Sequence, residues 1–162
     1  MSRHVRPADF AAIGGLVTQA FGRPQEADLV ARLRAEGDVI LEMVEADALG
    51  GLVAHVLYSR LWSDHRGLFA ALAPLSVHPD WQGGGSGSRL ASASLLALKE
   101  YGVDGVLVLG NPAYYSRFGF RTELAARVAS PYSETGALMA LELTPGAFAD
   151  PMTVAYPSAF AA

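Results

Sequence analysis

The chain has 162 residues, of which 51% are hydrophobic and 17% charged, and its formal net charge is −4. This length and composition indicate one folded domain, and the acidic balance with scattered Lys and Arg excludes the basic stripe of a nucleic-acid-binding protein. The chain has no cysteine and no pair of histidines at metal-site spacing, so we expect no disulfide, no cysteine nucleophile and no metal.

The N-terminal segment carries the basic residues Arg3, His4 and Arg6. It lacks the apolar stretch that a secretion signal requires. No other run approaches the length of a membrane-spanning helix. We therefore expect a cytoplasmic protein with no membrane partner.

The first third of the chain predicts two helices followed by a hairpin. Pro7 and Asp9 are typical of a helix start, because proline suits the first turn and an acid complements the helix dipole. Apolar residues then recur at helical spacing before the pattern changes to one typical of strands. The predicted helices cover 10–21 and 27–37, and the predicted strands cover 39–44 and 52–58.

The middle of the chain predicts a strand, a helix and a second strand. The apolar stretch 68–77 is interrupted by Pro74, which cannot donate a ladder hydrogen bond and therefore predicts a sheet edge or a bulge. A helix is predicted over 90–101, with Gly102 as its cap. The uniformly apolar run 105–110 is typical of a strand in the middle of a sheet.

The last part of the chain predicts a brief helix within 111–119 and a strand at 137–143, followed by a tail with only a weak pattern. The order of elements predicts an α/β (α+β) fold, in which helices cover a mixed sheet. We expect a single domain over 1–162, with its core at about 3–143 and a C-terminal extension.

A glycine-rich loop, 82–88, lies between the predicted strand and helix. Such a loop aims backbone N–H groups and a helix dipole at one point, which suits a phosphate, although many such turns are only structural. A phosphate-binding Walker loop requires a lysine that is missing here. A dinucleotide fingerprint requires a third glycine, and the chain has Ser88 or Leu90 at the two positions where it would stand.

The spacing that fits is Gln82-x-x-Gly85-x-Gly87, directly after the stretch 75–79. It resembles the acetyl-CoA signature of the GNAT superfamily of N-acetyltransferases. A second stretch, Pro112 to Phe120, reads Pro-Ala-Tyr-Tyr-Ser-Arg-Phe-Gly-Phe and is similar to the hallmark run of the small bacterial YhbS-like acetyltransferases. The resemblance extends from about residue 5 to residue 143.

This resemblance implies an acyltransferase with acetyl-CoA as its cosubstrate. The implied GNAT fold has a central, twisted, mostly antiparallel sheet, split beside a bulged strand where acetyl-CoA enters. Strand backbone groups would hold the pantetheine arm, and loop amides would hold the diphosphate. The residues implied to bind the coenzyme are Leu75, Ser76, Val77, Gln82, Gly83, Gly84, Gly85, Ser86, Gly87, Ser88, Asn111, Tyr115 and Phe118.

Gly84 departs from the family pattern, which commonly has Arg or Lys at that position. A charged contact to the diphosphate is therefore missing from the loop. Arg89, one turn into the following helix, is either a substitute or a solvated side chain.

For catalysis, the resemblance implies that the backbone N–H of Val77 polarises the thioester carbonyl and that Tyr115 protonates the leaving thiolate. The alternative for Tyr115 is packing on a short amphipathic helix. Its neighbour Tyr114 would pack or line the acceptor pocket. Asn111 either caps the short helix or contacts the coenzyme arm.

The general base is open between three side chains, each of which also has a structural interpretation. We prefer His55, because histidine titrates near neutrality and family strands there border the acceptor cleft. Glu42 and His78 are the other candidates. Many relatives use a chain of water molecules instead.

We expect the acceptor to be a primary amine of a small molecule or a peptide, and the acidic net charge favours cationic amines. Dimers are common in the family, so a homodimer is one expectation. Two alternatives stay open. A non-catalytic acyl-CoA-binding or sensor module would keep the loop without transferring an acetyl group, and a nucleotide-binding protein would prefer ATP or NAD.

Overall fold

The computed structural model describes residues 1–161. Within these residues, four α-helices and eight strands make up the fold, with short 3-10 turns between them. The helices are α1 (Phe10–Phe21), α2 (Gln25–Ala35), α3 (Ser86–Tyr101) and α4 (Pro112–Tyr115). The strands are β1 (Ser2–His4), β2 (Val39–Ala46), β3 (Leu52–Ser63), β4 (Phe69–Val77), β5 (Gly105–Leu109), β6 (Val128–Ala129), β7 (Leu138–Glu142) and β8 (Met152–Ala155).

The strands form a mixed sheet in the order β1-β2-β3-β4-β5-β7, with β8 pairing with β3 and β6. Within the main path every neighbouring pair is antiparallel except β4 and β5, which are parallel. A parallel pair requires a long crossover, and α3 supplies it. The predicted mixed, mostly antiparallel sheet with helices on it is confirmed, and the run at 105–110 supplies an inner strand.

The two faces of the sheet are covered by different elements. Leu90, Leu95 and Leu98 of α3 pack on one face, in a cluster with residues of β2, β3, β4 and β5. Helices α1 and α2 cover part of the other face, and the C-terminal tail covers the rest. Among the described residues, no helix combines the length and the apolar character needed to cross a membrane.

A bulge interrupts β4, as Pro74 predicts. The pairing of β3 with β4 passes from Val56–Leu75 to Tyr58–Leu72, so that Ala73 and Pro74 together oppose a single residue of β3. This two-against-one arrangement bends a strand and breaks its ladder. Of the two sequence-based alternatives, the bulge is confirmed, and the edge holds only locally: β4 has β3 and β5 as partners, but its pairing with β5 ends at Leu72, before Pro74.

The ends of the chain are more regular than their sequence pattern predicts. Strand β1 pairs with β2, and β8 pairs with β3 beyond the predicted end of that strand at residue 58. In the tail, Phe148, Met152 and Val154 are buried in a core cluster with Phe69. Strands of three or four residues are too short for periodicity to reveal.

Asp104 links the ends of three strands by hydrogen bonds. Its carboxylate accepts hydrogen bonds from the Leu68 amide and the Thr144 hydroxyl, both at 2.8 Å. Its backbone amide donates to the Leu68 carbonyl, and its own carbonyl accepts from the amides of Leu143 and Thr144. The side chain thus holds the start of β4 and the end of β7 against the start of β5.

Asp104→Ala should lower the free energy of unfolding by about 2 kcal/mol, because two hydrogen bonds to a charged, half-buried acceptor are lost. Urea unfolding followed by circular dichroism measures this change. Asp150→Ala, which removes an exposed carboxylate, is the matched control. Equal midpoints for the two variants would contradict the role of Asp104.

Candidate active site

The cleft arises where β4 and β5 stop pairing. Their parallel ladder runs only from Phe69–Gly105 to Leu72–Val108, although β4 continues to Val77. Beyond Leu72 the second side of β4 therefore has no strand partner among the described residues. The result is a gap in the sheet, open beside the bulge.

Backbone groups of β4 face this gap. The amide of His78 donates to the carbonyl of Val53, so these two residues form a hydrogen-bonded pair between the strands. Such pairs alternate along an antiparallel ladder, and the groups of the intervening residues point to the other side of the strand. By this alternation, the N–H and C=O of Leu75 and Val77 face the gap, where the Val77 carbonyl accepts a hydrogen bond from the side-chain amide of Gln82 at 3.1 Å.

The gap widens into a cleft of about 710 Å³. This volume is in the range typical of small-molecule sites. The cleft is lined by the end of β4, the glycine-rich loop, the start of α3, and α4, with the C-terminal end of α1 on one side. Its lining residues are Ala20, Phe21, Leu75, Ser76, Val77, Trp81, Gln82, Gly83, Gly85, Ser86, Gly87, Ser88, Gly110, Asn111, Tyr114, Tyr115 and Arg117.

The loop brings the start of α3 to the mouth of the cleft. Gly83 and Gly85 have φ values of 82° and 88°, a left-handed conformation that glycine adopts without strain. Helix α3 begins at Ser86, and the Arg89 amide donates to the Gly85 carbonyl as a first helical bond. The amides from Gly85 to Ser88 precede that bond and have no acceptor within the helix. They form an anion site at the positive end of the helix dipole.

Gly87 allows α4 to pack against the start of α3. A Cβ at this position would lie 2.8 Å from the hydroxyl oxygen of Tyr114 and 3.0 Å from a methyl carbon of Val77. The loop, the end of β4 and the α4 wall therefore meet at one backbone position that has no room for a side chain.

The side chain of Tyr115 packs against the core on the α3 side of the sheet, with its ring over Gly110. A Cβ at Gly110 would lie 2.6 Å from that ring, so glycine is needed for this packing. The ring makes edge contacts with Tyr114 and Phe120 at centroid distances of 5.1 Å and 5.8 Å. Burial, with a smaller effect from Tyr114, raises the pKa of Tyr115 to about 12. Its hydroxyl therefore keeps its proton at neutral pH and is available as a donor.

Three of the residues predicted to bind the coenzyme make contacts within the protein. Asn111 caps α4, since its side-chain oxygen accepts from the Ala113 amide at 3.0 Å, and it also lines the cleft. Phe118 stacks against Tyr114 and supports the wall from behind. Gly84 turns its amide towards the Trp81 carbonyl, away from the converging amides of α3.

Arg117 carries the one charged side chain among the described residues that line the cleft. Its guanidinium lies over the Tyr114 ring at 4.4 Å. Arg89 is placed differently: it donates to the Ser86 hydroxyl at 3.1 Å and lies 3.6 Å from the Glu45 carboxylate. Arg117 lies within the hallmark run, but nothing in the sequence pattern predicts a role for it.

His55 does not line the cleft. It is completely buried, and its Nε2 is 2.7 Å from a carboxylate oxygen of Glu42. Arg34 binds the same carboxylate through two nitrogens, at 2.5 and 3.0 Å. His78 also lies outside the cleft, with its Nδ1 accepting from the Asp80 amide.

Burial lowers the pKa of His55, against the raising effect of Glu42. Burial would raise the pKa of Glu42, but hydrogen bonds from His55 and Arg34 outweigh it and leave that pKa below its usual value. The pair is therefore a neutral imidazole beside an ionised carboxylate. In residues 1–161, no three His, Asp or Glu side chains gather as a metal site.

Comparison with known proteins gives one consistent result. The family profile described as "Acetyltransferase (GNAT) domain" matches residues 38–122. The uncharacterized N-acetyltransferase YhbS of Escherichia coli K12 is 37% identical over 121 residues, which are 74% of this chain and 71% of YhbS. The uncharacterized N-acetyltransferase YjhQ of the same strain is 37% identical over 123 residues, covering 70% of this chain and 65% of YjhQ.

Two solved structures share the whole fold. Escherichia coli YhbS in complex with CoA has a TM-score of 0.93 at 28% identity, covering 100% of this chain and 92% of YhbS. A GNAT acetyltransferase from Brucella melitensis in complex with acetyl-CoA has a TM-score of 0.83 at 29% identity, covering 99% and 97% of the two chains. With a matching family profile, a relative at 37% identity and the split sheet in place, the chain belongs to the GNAT family of acetyltransferases.

Proposed function

We propose that the protein transfers the acetyl group of acetyl-CoA directly to a primary amine of a small molecule or peptide. The observation that carries this proposal is the convergence of the free amides of α3 with the unpaired backbone of β4 at one cleft. The relatives solved with CoA and acetyl-CoA support the same coenzyme. The family membership supports the reaction class.

The residues present suit this coenzyme. The amides from Gly85 to Ser88 would hold the diphosphate, and the backbone groups of Leu75 and Val77 would hold the amide-bearing pantetheine arm. When bound, acetyl-CoA supplies an activated thioester. The N–H of Val77, facing the gap, would then donate to the carbonyl oxygen as negative charge develops on it.

In the reaction, an N–C bond forms and the C–S bond breaks, so one proton leaves the amine and one reaches the thiolate. Tyr115 would donate its hydroxyl proton to the sulfur. The phenol is protonated over the neutral range, as a proton donor must be, and its burial in the free protein makes it a weaker acid than an exposed tyrosine. Tyr115 packs on the α3 side, whereas Ala20 and Phe21 border the cleft from α1, on the other side of the sheet. We therefore place the amine on the α1 side.

His55 keeps its proposed part as base, but only through another group, because its own side chain is buried beside the cleft wall. Arg117 is the proposed counter-charge for the coenzyme phosphates, in place of the basic residue that is missing at Gly84. Arg89 is less suited to this role, because its guanidinium is already bonded to the Gly84 carbonyl and the Ser86 hydroxyl and lies 3.6 Å from the Glu45 carboxylate.

Acetyl-CoA should bind with a measurable heat in calorimetry, and Gly87→Ala should weaken this binding by about tenfold. The reason is that the new methyl group must displace Tyr114 or the start of α3. Gly14→Ala is the control, since a Cβ there meets nothing within 4 Å. Absence of binding to the unchanged protein at millimolar coenzyme would contradict the proposed function.

Arg117→Ala should weaken acetyl-CoA binding by about tenfold at low ionic strength, and by less at high salt, because an exposed charge contact is screened. Titration at two salt concentrations measures this difference. Lys99→Ala removes the same charge from an exposed position at the end of α3 and should leave affinity unchanged. Equal losses in the two variants would show a general effect of net charge.

Tyr115→Phe should lower kcat about 100-fold, in the range typical of a lost general acid, with little change in the dissociation constant of acetyl-CoA. Thiol release during acetylation of a panel of primary amines measures kcat. Turnover of Tyr115→Phe equal to that of the unchanged protein would remove Tyr115 from the role of acid. A protein that binds acetyl-CoA but acetylates no amine in the panel would instead be a non-catalytic acyl-CoA-binding module.

A further inference from the structure

Ser76 and His55 are direct neighbours across the ladder between β3 and β4. Residues in register on antiparallel strands point to the same face, with Cβ atoms about 5 Å apart. Here that face is the one covered by α1 and α2, because Leu57, two residues from His55, packs there against Val30 and Leu33. The hydroxyl and the imidazole therefore lie side by side beneath the helices.

Both side chains have an unused polar atom. In the described part of the chain, two buried side-chain polar atoms lack a hydrogen-bond partner: Nδ1 of His55 and Oγ of Ser76. The two atoms therefore do not bond to each other in the structure, and pairing them requires the Ser76 side chain to rotate. An orphaned buried polar atom is costly and rare in folded proteins, and two of them on neighbouring residues call for a common explanation. Their chemistry is complementary, since a hydroxyl donates and an imidazole nitrogen accepts.

The environment behind His55 fixes which nitrogen is free. Glu42 is held ionised by Arg34 and lies 2.7 Å from Nε2, so the neutral ring donates its single N–H to this carboxylate. Nδ1 is left as an acceptor with an open lone pair, directed to neither Glu42 nor Arg34. These two are the charged groups that face His55 from β2 and α2. Helix α1 has no charged residue, and β4 contributes Ser76.

Ser76 also lies next to the cleft. Ser76 lines it next to Val77, whose N–H faces the position proposed for the thioester. Only 2% of Ser76 is exposed, so its hydroxyl must rotate to reach the amine. Ala20 and Phe21 border the cleft on this same α1 side, whereas Tyr115 packs on the other. Ser76 is thus the group that joins the buried Glu42–His55 pair to the side from which the amine is proposed to approach.

We propose that Ser76, His55 and Glu42 form a proton relay that takes up the proton released by the acceptor amine. The relay rests on the proposed function. As the N–C bond forms, the amine proton passes to Oγ of Ser76 while the hydroxyl proton passes to Nδ1 of His55. The Nε2 proton stays on the ring, and Glu42 stabilises the imidazolium. After the product leaves, His55 returns the proton through Ser76 to water in the cleft.

In this relay, Ser76 is the catalytic residue that contacts the amine. His55 is the base that acts through it, and Glu42 with Arg34 positions the ring and its tautomer. The same order of groups, a hydroxyl, an imidazole and a carboxylate, activates nucleophiles in hydrolases. In this protein it serves to remove a proton, because the attacking nucleophile is the amine itself.

The first test is nuclear magnetic resonance of protein labelled with ¹⁵N at histidine, which needs no acceptor. Nδ1 of His55 should resonate as an unprotonated, hydrogen-bonded nitrogen, and Ser76→Ala should shift it towards the value of a free lone pair. Ser59→Ala is the matched control: this buried serine of β3 bonds to the Arg60 carbonyl and does not line the cleft. An unmoved Nδ1 resonance in Ser76→Ala would overturn the pairing.

The second test is turnover with acetyl-CoA and two amines, tyramine, which is protonated at neutral pH, and hydroxylamine, which is not. Ser76→Ala should lower kcat about 100-fold for tyramine and less for hydroxylamine. Ser76→Thr, which keeps the hydroxyl, should restore most of the rate. The dissociation constant of acetyl-CoA should stay within about twofold in both variants, and Ser59→Ala should behave like the unchanged protein.

Equal losses with the two amines, or a loss that Ser76→Thr does not restore, would show that Ser76 acts by packing and would overturn the relay. A moved Nδ1 resonance with unchanged turnover would overturn it as well. Failure of the unchanged protein to acetylate any amine would count against the proposed function and, with it, against a relay for this reaction. The resonance comparison would still report separately on the Ser76–His55 pair.

Discussion

The site depends on the point at which the hydrogen-bond ladder between β4 and β5 stops. Strand β4 continues beyond the last pair, Leu72–Val108, but the bulge at Ala73 and Pro74 bends it away from β5. From there on, the backbone groups of β4 that point away from β3 have no strand to pair with. Unpaired N–H and C=O groups in a partly buried cleft favour a ligand that can satisfy them. The same parallel pairing requires a crossover helix, which must begin beside the end of β4. One constraint thus places both the free strand backbone and the free helix amides.

The sheet also divides the chemistry between its two faces. On the α3 side lie the glycine-rich loop, Tyr114 and Tyr115, of which Tyr115 packs against the core that α3 forms. On the α1 side lie Ser76 and the buried chain of His55, Glu42 and Arg34. In the proposed reaction, the amine loses a proton on the α1 side, and the thiolate gains one from Tyr115 on the α3 side. Groups that would otherwise exchange protons directly are kept apart by the backbone of β4.

Much of this could be predicted from the sequence, because the informative residues act locally. Pro74 interrupts a strand by its own chemistry, and the glycines of the loop report a backbone conformation. Positions that depend on distant pairing could not be predicted. His55 alternates with apolar neighbours, but only the register with β4 shows that it lies under α1 and α2, behind Ser76. Arg117 follows a helix of four residues, which is too short for periodicity to reveal the direction of a side chain.

The two walls of the cleft come from separate stretches of the chain. The proposed coenzyme contacts come from β4, the loop, α3 and α4, whereas Ala20 and Phe21 end α1, just before Gly22 turns the chain towards α2. In the proposed arrangement these two residues border the amine. Substitutions around the α1–α2 junction can therefore change which acceptor fits the cleft, while the wall formed by β4, the loop, α3 and α4 stays unchanged. A scaffold divided in this way lets substrate choice evolve independently of the acetylation chemistry.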